Sequence, residues 1–99
     1  MHATPSTAIA VTVRFFASLR ELTGEQEVDL VLPVDSRPAD VWAACVQRWP
    51  ALASRRQSTV LAVNREFARG DTIIQDGDEV ALLPPVSGGA DRLPFNLPT

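Results

Sequence analysis

The 99-residue sequence predicts one α+β domain, in which a single main helix packs across a mixed β-sheet. Three observations support this fold class. Two segments of alternating apolar residues come early, an apolar stripe of helical period occupies the middle, and several short β-branched segments follow. Because the helix lies between groups of strands rather than alternating with each of them, one helical layer on one sheet is expected.

The first part of the domain is predicted to contain two strands joined by a short helix. Period-two alternation over residues 9–16 indicates a strand with one buried face. Two leucines three positions apart, followed by Gly24, predict one or two helical turns over residues 17–22. Alternation resumes over residues 28–32 until Pro33 ends it, so the two strands should form a hairpin-like pair.

The main helix is expected to begin at Pro38, since proline suits the first helical position and disfavours helical geometry in the preceding residue. Asp40 in the first turn suits the positive end of the helix dipole. Pro50 should end the helix. Five apolar residues recur at helical spacing and form one stripe for packing against the sheet: Val41, Trp42, Cys45, Val46 and Trp49. Both tryptophans and the cysteine are therefore predicted to lie in the core.

Short strands are predicted in the second part of the domain. Residues 60–63 are apolar on both faces, which suits a central strand. A turn at residues 64–65 should lead to a brief strand or bend near Phe67. The Asp-Gly-Asp turn at residues 76–78 precedes a last strand over residues 80–83.

Four parts of the chain are distinguished by composition. Residues 1–7 are predicted to be a flexible leader and residues 8–85 the folded domain. Residues 86–89 form a tail that ends in two glycines. Residues 90–99 are predicted to be a C-terminal extension that is disordered or removed.

Composition excludes several classes of function. A net charge of −3 argues against a nucleic-acid partner, which requires a cationic surface. No apolar run approaches the roughly 20 residues of a membrane span and no secretory signal is visible, so a cytoplasmic protein without a membrane partner is expected. One cysteine, Cys45, and one histidine, His2 in the leader, exclude an internal disulfide and a cysteine-built metal site, and we expect no metal. They also exclude most self-sufficient hydrolytic sites.

All nine basic residues are arginines. The preferred explanation is compositional bias of the source genome. The alternative is that a protein with an activated acyl terminus benefits from the absence of side-chain amines.

Three segments resemble one family in the same order. DGDEVALLPPVSGG, at residues 76–89, resembles the C-terminus of the small subunit of molybdopterin synthase (MoaD), a relative of the ThiS-like sulfur carriers. VRFFASLRELTG at residues 13–24 resembles that family's first strand and short helix, and VLAVN at residues 60–64 is similar to a later strand. The similarity covers roughly residues 9–89.

This resemblance implies a ubiquitin-like β-grasp fold and a sulfur carrier for molybdenum cofactor biosynthesis. In the family, an E1-like enzyme (MoeB-like) uses ATP to adenylate the C-terminal glycine, which becomes a thiocarboxylate and enters the large synthase subunit (MoaE-like). Carried over to this chain, Gly89 would hold the sulfur and Gly88 would precede it. The chain would bind no cofactor and would be a non-catalytic donor subunit rather than a stand-alone enzyme.

The residues around the tail agree with such a role. Glycines without Cβ atoms can enter a narrow channel. Pro84 and Pro85 should stiffen the exit from the sheet. Leu83 and Val86 are expected to lie on an outward face and to bind the partner together with these prolines, because an exposed apolar patch favours an interface.

The chain departs from the family pattern after Gly89, because residues 90–99 place that glycine in a peptide bond. Three explanations are open: a processing protease removes the extension, the extension is a remnant of a fusion, or the protein does not carry sulfur. Two alternative functions follow. The chain could serve another sulfur pathway (thiamine, cysteine or tRNA thiolation), or it could be a ubiquitin-like binding module whose blocked tail never carries sulfur.

Overall fold

The computed structural model describes residues 8–84. The predicted leader, Pro85, the tail and the extension lie outside these residues, so the division of the chain at those points stays a prediction. The described part contains five strands, two α-helices and a 3₁₀ segment. The strands are β1 (Ala8–Phe15), β2 (Glu27–Pro33), β3 (Val60–Val63), β4 (Glu66–Phe67) and β5 (Glu79–Leu83), the helices are α1 (Ser18–Thr23) and α2 (Pro38–Arg48), and the 3₁₀ segment is Pro50–Ser58.

The strands form one mixed sheet in the order β2-β1-β5-β3-β4. β1 and β2 are antiparallel, which confirms the predicted hairpin-like pair. β5, the last strand, lies parallel to β1 and antiparallel to β3. β3 has a neighbour on each side, as predicted, although β4 beyond it has only two residues.

One face of the sheet packs on α2 and forms the main core. Alternate residues of β1 face this core and are almost fully buried, as the period-two pattern predicts: Ile9, Val11, Val13 and Phe15. α2 begins at Pro38, as predicted, and the Arg37 N–H donates to the Asp40 carboxylate at 2.8 Å. This bond satisfies a backbone donor that the start of the helix leaves without a partner.

The apolar stripe of α2 lies against the sheet. Cys45 is fully buried and Trp42 is 8% exposed, which confirms their predicted place in the core. Trp49 is only half-buried, and its ring meets the Phe15 ring edge-on with 5.1 Å between centroids. Trp49 follows the last residue of α2, and at that position it covers only the margin of the core.

The 3₁₀ segment after α2 was not predicted. Its one fully buried residue, Leu52, fastens it to the core. At its far end the Thr59 hydroxyl donates to the Arg55 carbonyl at 2.7 Å. Such a segment lacks the repeated apolar stripe that reveals an α-helix in a sequence. Within residues 8–84, no helix combines the length and apolar character needed to cross a membrane.

Candidate functional site at the end of the last strand

β5 carries the chain toward the di-glycine and is held on both sides. Val80 and Leu82 pair with β1 on one side and with β3 on the other. Beyond the end of β1, the Phe16 N–H donates to the Leu82 carbonyl at 3.2 Å. Because a strand paired on both sides cannot shift without breaking two ladders, the chain leaves the sheet at a defined position.

Hydrogen bonds connect the acidic turn at residues 76–78, which precedes β5, to β1. The Ala10 N–H donates to the Asp76 carboxylate at 2.7 Å, and the Gly77 N–H donates to the Ala10 carbonyl at 2.7 Å. The Thr12 N–H donates to the Asp78 carbonyl at 3.0 Å. Gly77 has a φ of 87°, a conformation that favours glycine. The predicted turn is confirmed, and its hydrogen bonds set the register of β5.

Asn64 joins this turn to the β3–β4 hairpin. Its side-chain amide donates to the Asp78 carboxylate at 2.8 Å, and its side-chain carbonyl accepts from the Glu79 N–H at 3.0 Å. Asn64 and Arg65 both have positive φ, as the turn of a two-residue hairpin requires. The sequence indicated only the turn; the asparagine's second role depends on residues 14 and 15 positions away.

The sheet face opposite α2 carries an apolar surface around the exit of β5, which we name the exit patch. Its members share this face and lie on or next to three neighbouring strands: Phe16, Ala62, Phe67, Ala81 and Leu83. Ala62, Ala81 and Leu83 are buried, whereas Phe67 is 45% exposed and Phe16 is half-buried. The two phenylalanines therefore present the accessible apolar surface.

The exposure expected of Leu83 is wrong. Leu83 is only 1% exposed, because it packs with Ala62, Ala81 and Phe16. Pro84 follows it and is half-buried. The other predicted site residues, Pro85, Val86, Gly88 and Gly89, lie outside the described residues.

Phe16 and Phe67 were not among the site residues predicted from the sequence. The Phe15-Phe16 pair offered one signal, since alternation in a strand places one ring on each face. Phe67 offered another, as an isolated aromatic residue in a polar turn.

Charged side chains border the exit patch. The Arg14 guanidinium lies 3.3 Å from the Glu79 carboxylate and 3.9 Å from that of Glu27. The same guanidinium lies over the Phe16 ring, 5.3 Å from its centroid. Arg14 Nε is buried and has no hydrogen-bond acceptor among the described residues. The patch thus has an apolar centre and a charged border, an arrangement common at protein interfaces.

The one cysteine of the chain lies in the core of the described domain. Burial raises the pKa of the Cys45 thiol to about 11, although Arg48 opposes the shift. At neutral pH this cysteine is therefore a buried neutral thiol and a poor nucleophile. Within residues 8–84, histidine, cysteine and acidic side chains form no cluster that could hold a metal ion.

Comparison with known proteins finds a family and several relatives that match most of this chain. The model of the ThiS family matches residues 13–89, and the match ends at the second glycine of the tail. A molybdopterin synthase sulfur carrier subunit from Arabidopsis thaliana is 36% identical over 84 residues, covering 85% of this chain and 88% of the relative. One from Escherichia coli is 41% identical over 81 residues, covering 80% and 99%.

Solved structures confirm the ubiquitin-like β-grasp fold that the resemblance implied. Small archaeal modifier protein 1 of Haloferax volcanii superposes with a TM-score of 0.72 at 30% identity, covering 79% of this chain and 99% of that one. One chain of a complex between subunits 1 and 2 of the Helicobacter pylori molybdopterin-converting factor matches with a TM-score of 0.56 at 27% identity. The match covers 82% of this chain and 100% of that one.

Proposed function

The chain belongs to the ThiS family, and we propose that it is a sulfur carrier that works as the small subunit of a molybdopterin synthase. In this role it would donate sulfur from a thiocarboxylate on Gly89. The observation that carries the proposal is the position of the di-glycine. Gly89 lies six residues after Leu83, the end of a strand held on both sides, and it closes the family match. The names of the relatives support the pathway.

The chemistry requires a free carboxylate at Gly89. In the proposed sequence, a carboxylate oxygen attacks the α-phosphorus of ATP on the activating enzyme and pyrophosphate leaves. A hydrosulfide ion then attacks the acyl carbon and AMP leaves, so that the product is the thiocarboxylate. The thiocarboxylate sulfur then attacks a carbon of the acceptor and displaces an oxygen leaving group, and hydrolysis of the resulting thioester leaves a thiol on the acceptor and restores the carboxylate of Gly89. None of these steps needs a side chain of this domain, which agrees with a buried, neutral Cys45.

The exit patch is proposed to dock on the large synthase subunit. Phe67 and Phe16 offer accessible aromatic surface beside the point where the tail leaves β5. Buried aromatic side chains are common anchors of interfaces. A partner that covers this patch would receive the tail from a fixed direction. The Helicobacter pylori complex of two subunits supports a partner of this kind.

Intact-mass spectrometry of the protein isolated from its own cells tests whether Gly89 is used. We expect a species that ends at Gly89, accompanied by the heavier form in which sulfur replaces one carboxylate oxygen. Such a result would also support the proposed processing protease. A full-length mass under all growth conditions would contradict the carrier role and favour the binding module.

A chain that ends at Gly89 allows the two parts of the site to be tested separately. Gly89→Ala should block sulfur loading by the activating enzyme and leave the unfolding curve unchanged, because position 89 comes after the last strand of the described residues. Phe67→Ser should instead weaken binding to the large subunit, measured by calorimetry, with loading retained. Val31→Ser, at an exposed position of β2, is the matched control and should change neither. Normal cofactor synthesis with Gly89→Ala would refute the proposal. Capture of a thiamine, cysteine or tRNA enzyme instead of a synthase subunit would assign another pathway.

A further inference from the structure

A groove of about 440 Å³ lies between β2 and α2, away from the exit patch. Leu32 from the strand and Ala43 and Ala44 from the helix contribute apolar lining. Val31 and Val34 border it and are 74% and 46% exposed. They are two of the four large exposed hydrophobic residues in the described part of the chain. Val34 therefore adds accessible apolar surface to the groove, whereas the Val31 side chain shares the opposite face of β2 with Glu27 and Asp29.

The strand beside the groove has a free edge. β2 ends the sheet order, so no other strand of residues 8–84 pairs with its outer side. The Phe15 N–H donates to the Gln26 carbonyl at 3.0 Å, so these two opposed residues form a hydrogen-bonded pair. In an antiparallel pair of strands, hydrogen-bonded and non-hydrogen-bonded pairs alternate, so this bond shows which residues of β2 bond to β1. Backbone groups of Val28 and Leu30 bond to β1, whereas those of Asp29 and Val31 face outward. An extended segment could therefore add to this edge as a further strand.

The two faces of β2 differ in character, and the difference specifies the occupant. On the α2 side, the groove favours apolar side chains. On the opposite face, Glu27 and Asp29 stand along the edge with their carboxylates exposed. Asp35 and Asp40 add acidic groups to the groove lining, which among the described residues includes no arginine. An added strand would thus meet apolar surface with one set of alternate residues and negative charge with the other.

We propose that the β2 edge and this groove bind an extended segment of a partner protein in which β-branched apolar residues alternate with arginine or lysine. The segment adds to β2 as a sixth strand, places its apolar residues against Leu32, Ala43 and Ala44, and sets its basic residues opposite Glu27 and Asp29.

This site is separate from the tail, and only Glu27, which lies 3.9 Å from Arg14, also belongs to the border of the exit patch. Val31 is paired with Ala10 near the start of β1, whereas the exit patch begins at Phe16, beyond the end of that strand. A segment bound here leaves the exit of β5 uncovered. The inference therefore stands independently of the proposed sulfur chemistry, and both partners could bind at once.

The test uses an acetylated heptapeptide of alternating valine and arginine, titrated into the ¹⁵N-labelled full chain. Amide shifts are expected along β2 and on the facing turns of α2, including Val31 and Ala44, with little change at Phe67. Two control peptides separate the contribution of charge from that of the backbone hydrogen bonds. Glutamate in place of arginine should reverse the charge match, and N-methylation of the peptide amides that face β2 should prevent the strand hydrogen bonds. Each change should weaken binding by about tenfold or more.

Variants of the chain provide the second arm. Val31→Pro removes an outward N–H without removing a bond to β1, and Val31→Arg adds positive charge at the same exposed place. Both should weaken binding of the valine–arginine peptide by about tenfold. Phe67→Ser should leave it unchanged, and affinity for the peptide should fall as salt is raised. Equal binding of the arginine and glutamate peptides, shifts centred on the exit patch, or no binding at all would overturn the proposal.

Discussion

Replacing Val11 with alanine tests whether the helix-facing side of the sheet supplies the stability of the domain. Val11 is 2% exposed and belongs to the main core cluster. The substitution removes two buried carbon groups, worth about 1.6 kcal/mol at about 0.8 kcal/mol each. Incomplete collapse of the resulting cavity adds to this cost, so the free energy of unfolding should fall by about 2–3 kcal/mol.

Val31→Ala is the matched control. Val31 lies on the neighbouring strand, paired with Ala10, but is 74% exposed. The chemical change and the loss of a β-branched residue are the same, so the two variants differ mainly in burial. We expect Val31→Ala to change the free energy of unfolding by about 0.5 kcal/mol or less.

Urea unfolding measures both variants. With a slope of about 1–3 kcal/mol per M for a small domain, Val11→Ala should lower the midpoint by about 0.7–3 M while leaving the slope unchanged. The control midpoint should remain close to that of the parent chain. Equal shifts for the two variants would refute the argument, because the effect would then follow strand propensity rather than burial.

Two further predictions concern local features. Burial raises the pKa of Cys45 from 9.0 to about 11, so between these pH values the folded state retains a proton that the unfolded state loses. The resulting contribution to stability is complete below about pH 9 and is lost as the pH rises toward 11. Urea midpoints should fall over that interval less in Cys45→Ala than in the parent chain, and a thiol reagent should modify Cys45 rapidly only in urea; equal pH dependence or rapid reaction of the folded chain would contradict this. Gly24→Ala should destabilise the domain by about 1 kcal/mol in thermal unfolding, because the φ of Gly24 is 74° although its Cβ would meet no atom. Gly70→Ala also meets open space without a positive φ and should be neutral or slightly stabilising, so an equal loss from both would refute the conformational explanation.

Much of the fold follows from local patterns. Alternation in β1 predicts which residues are buried because successive side chains of a strand point to opposite faces. Pro38 marks the start of α2, and Gly24 ends α1 in the left-handed conformation. The 3₁₀ segment had no comparable pattern and was missed. The exposure of Leu83 was misjudged because its burial depends on Ala62 and Phe16, far from it in the chain.

One part of the candidate site could likewise be predicted from the sequence, and the other could not. The di-glycine could be recognised from the chain because its proposed chemistry needs only a small terminal residue and a free carboxylate. The exit patch could not, since it combines Phe16, Phe67 and Leu83 from distant segments. Its composition depends on which strands become neighbours.

Local residue order thus accounts for the helices, the buried face of each long strand, the turns and the family to which the chain belongs, since each depends on spacing over a few residues. The insertion of β5 between β1 and β3 is a different kind of property. It pairs residues more than sixty positions apart, such as Val13 with Val80, and no local period specifies such a pair. That placement creates the exit patch and leaves β2 at the edge of the sheet formed by residues 8–84, because the strand that completes the sheet enters at its centre.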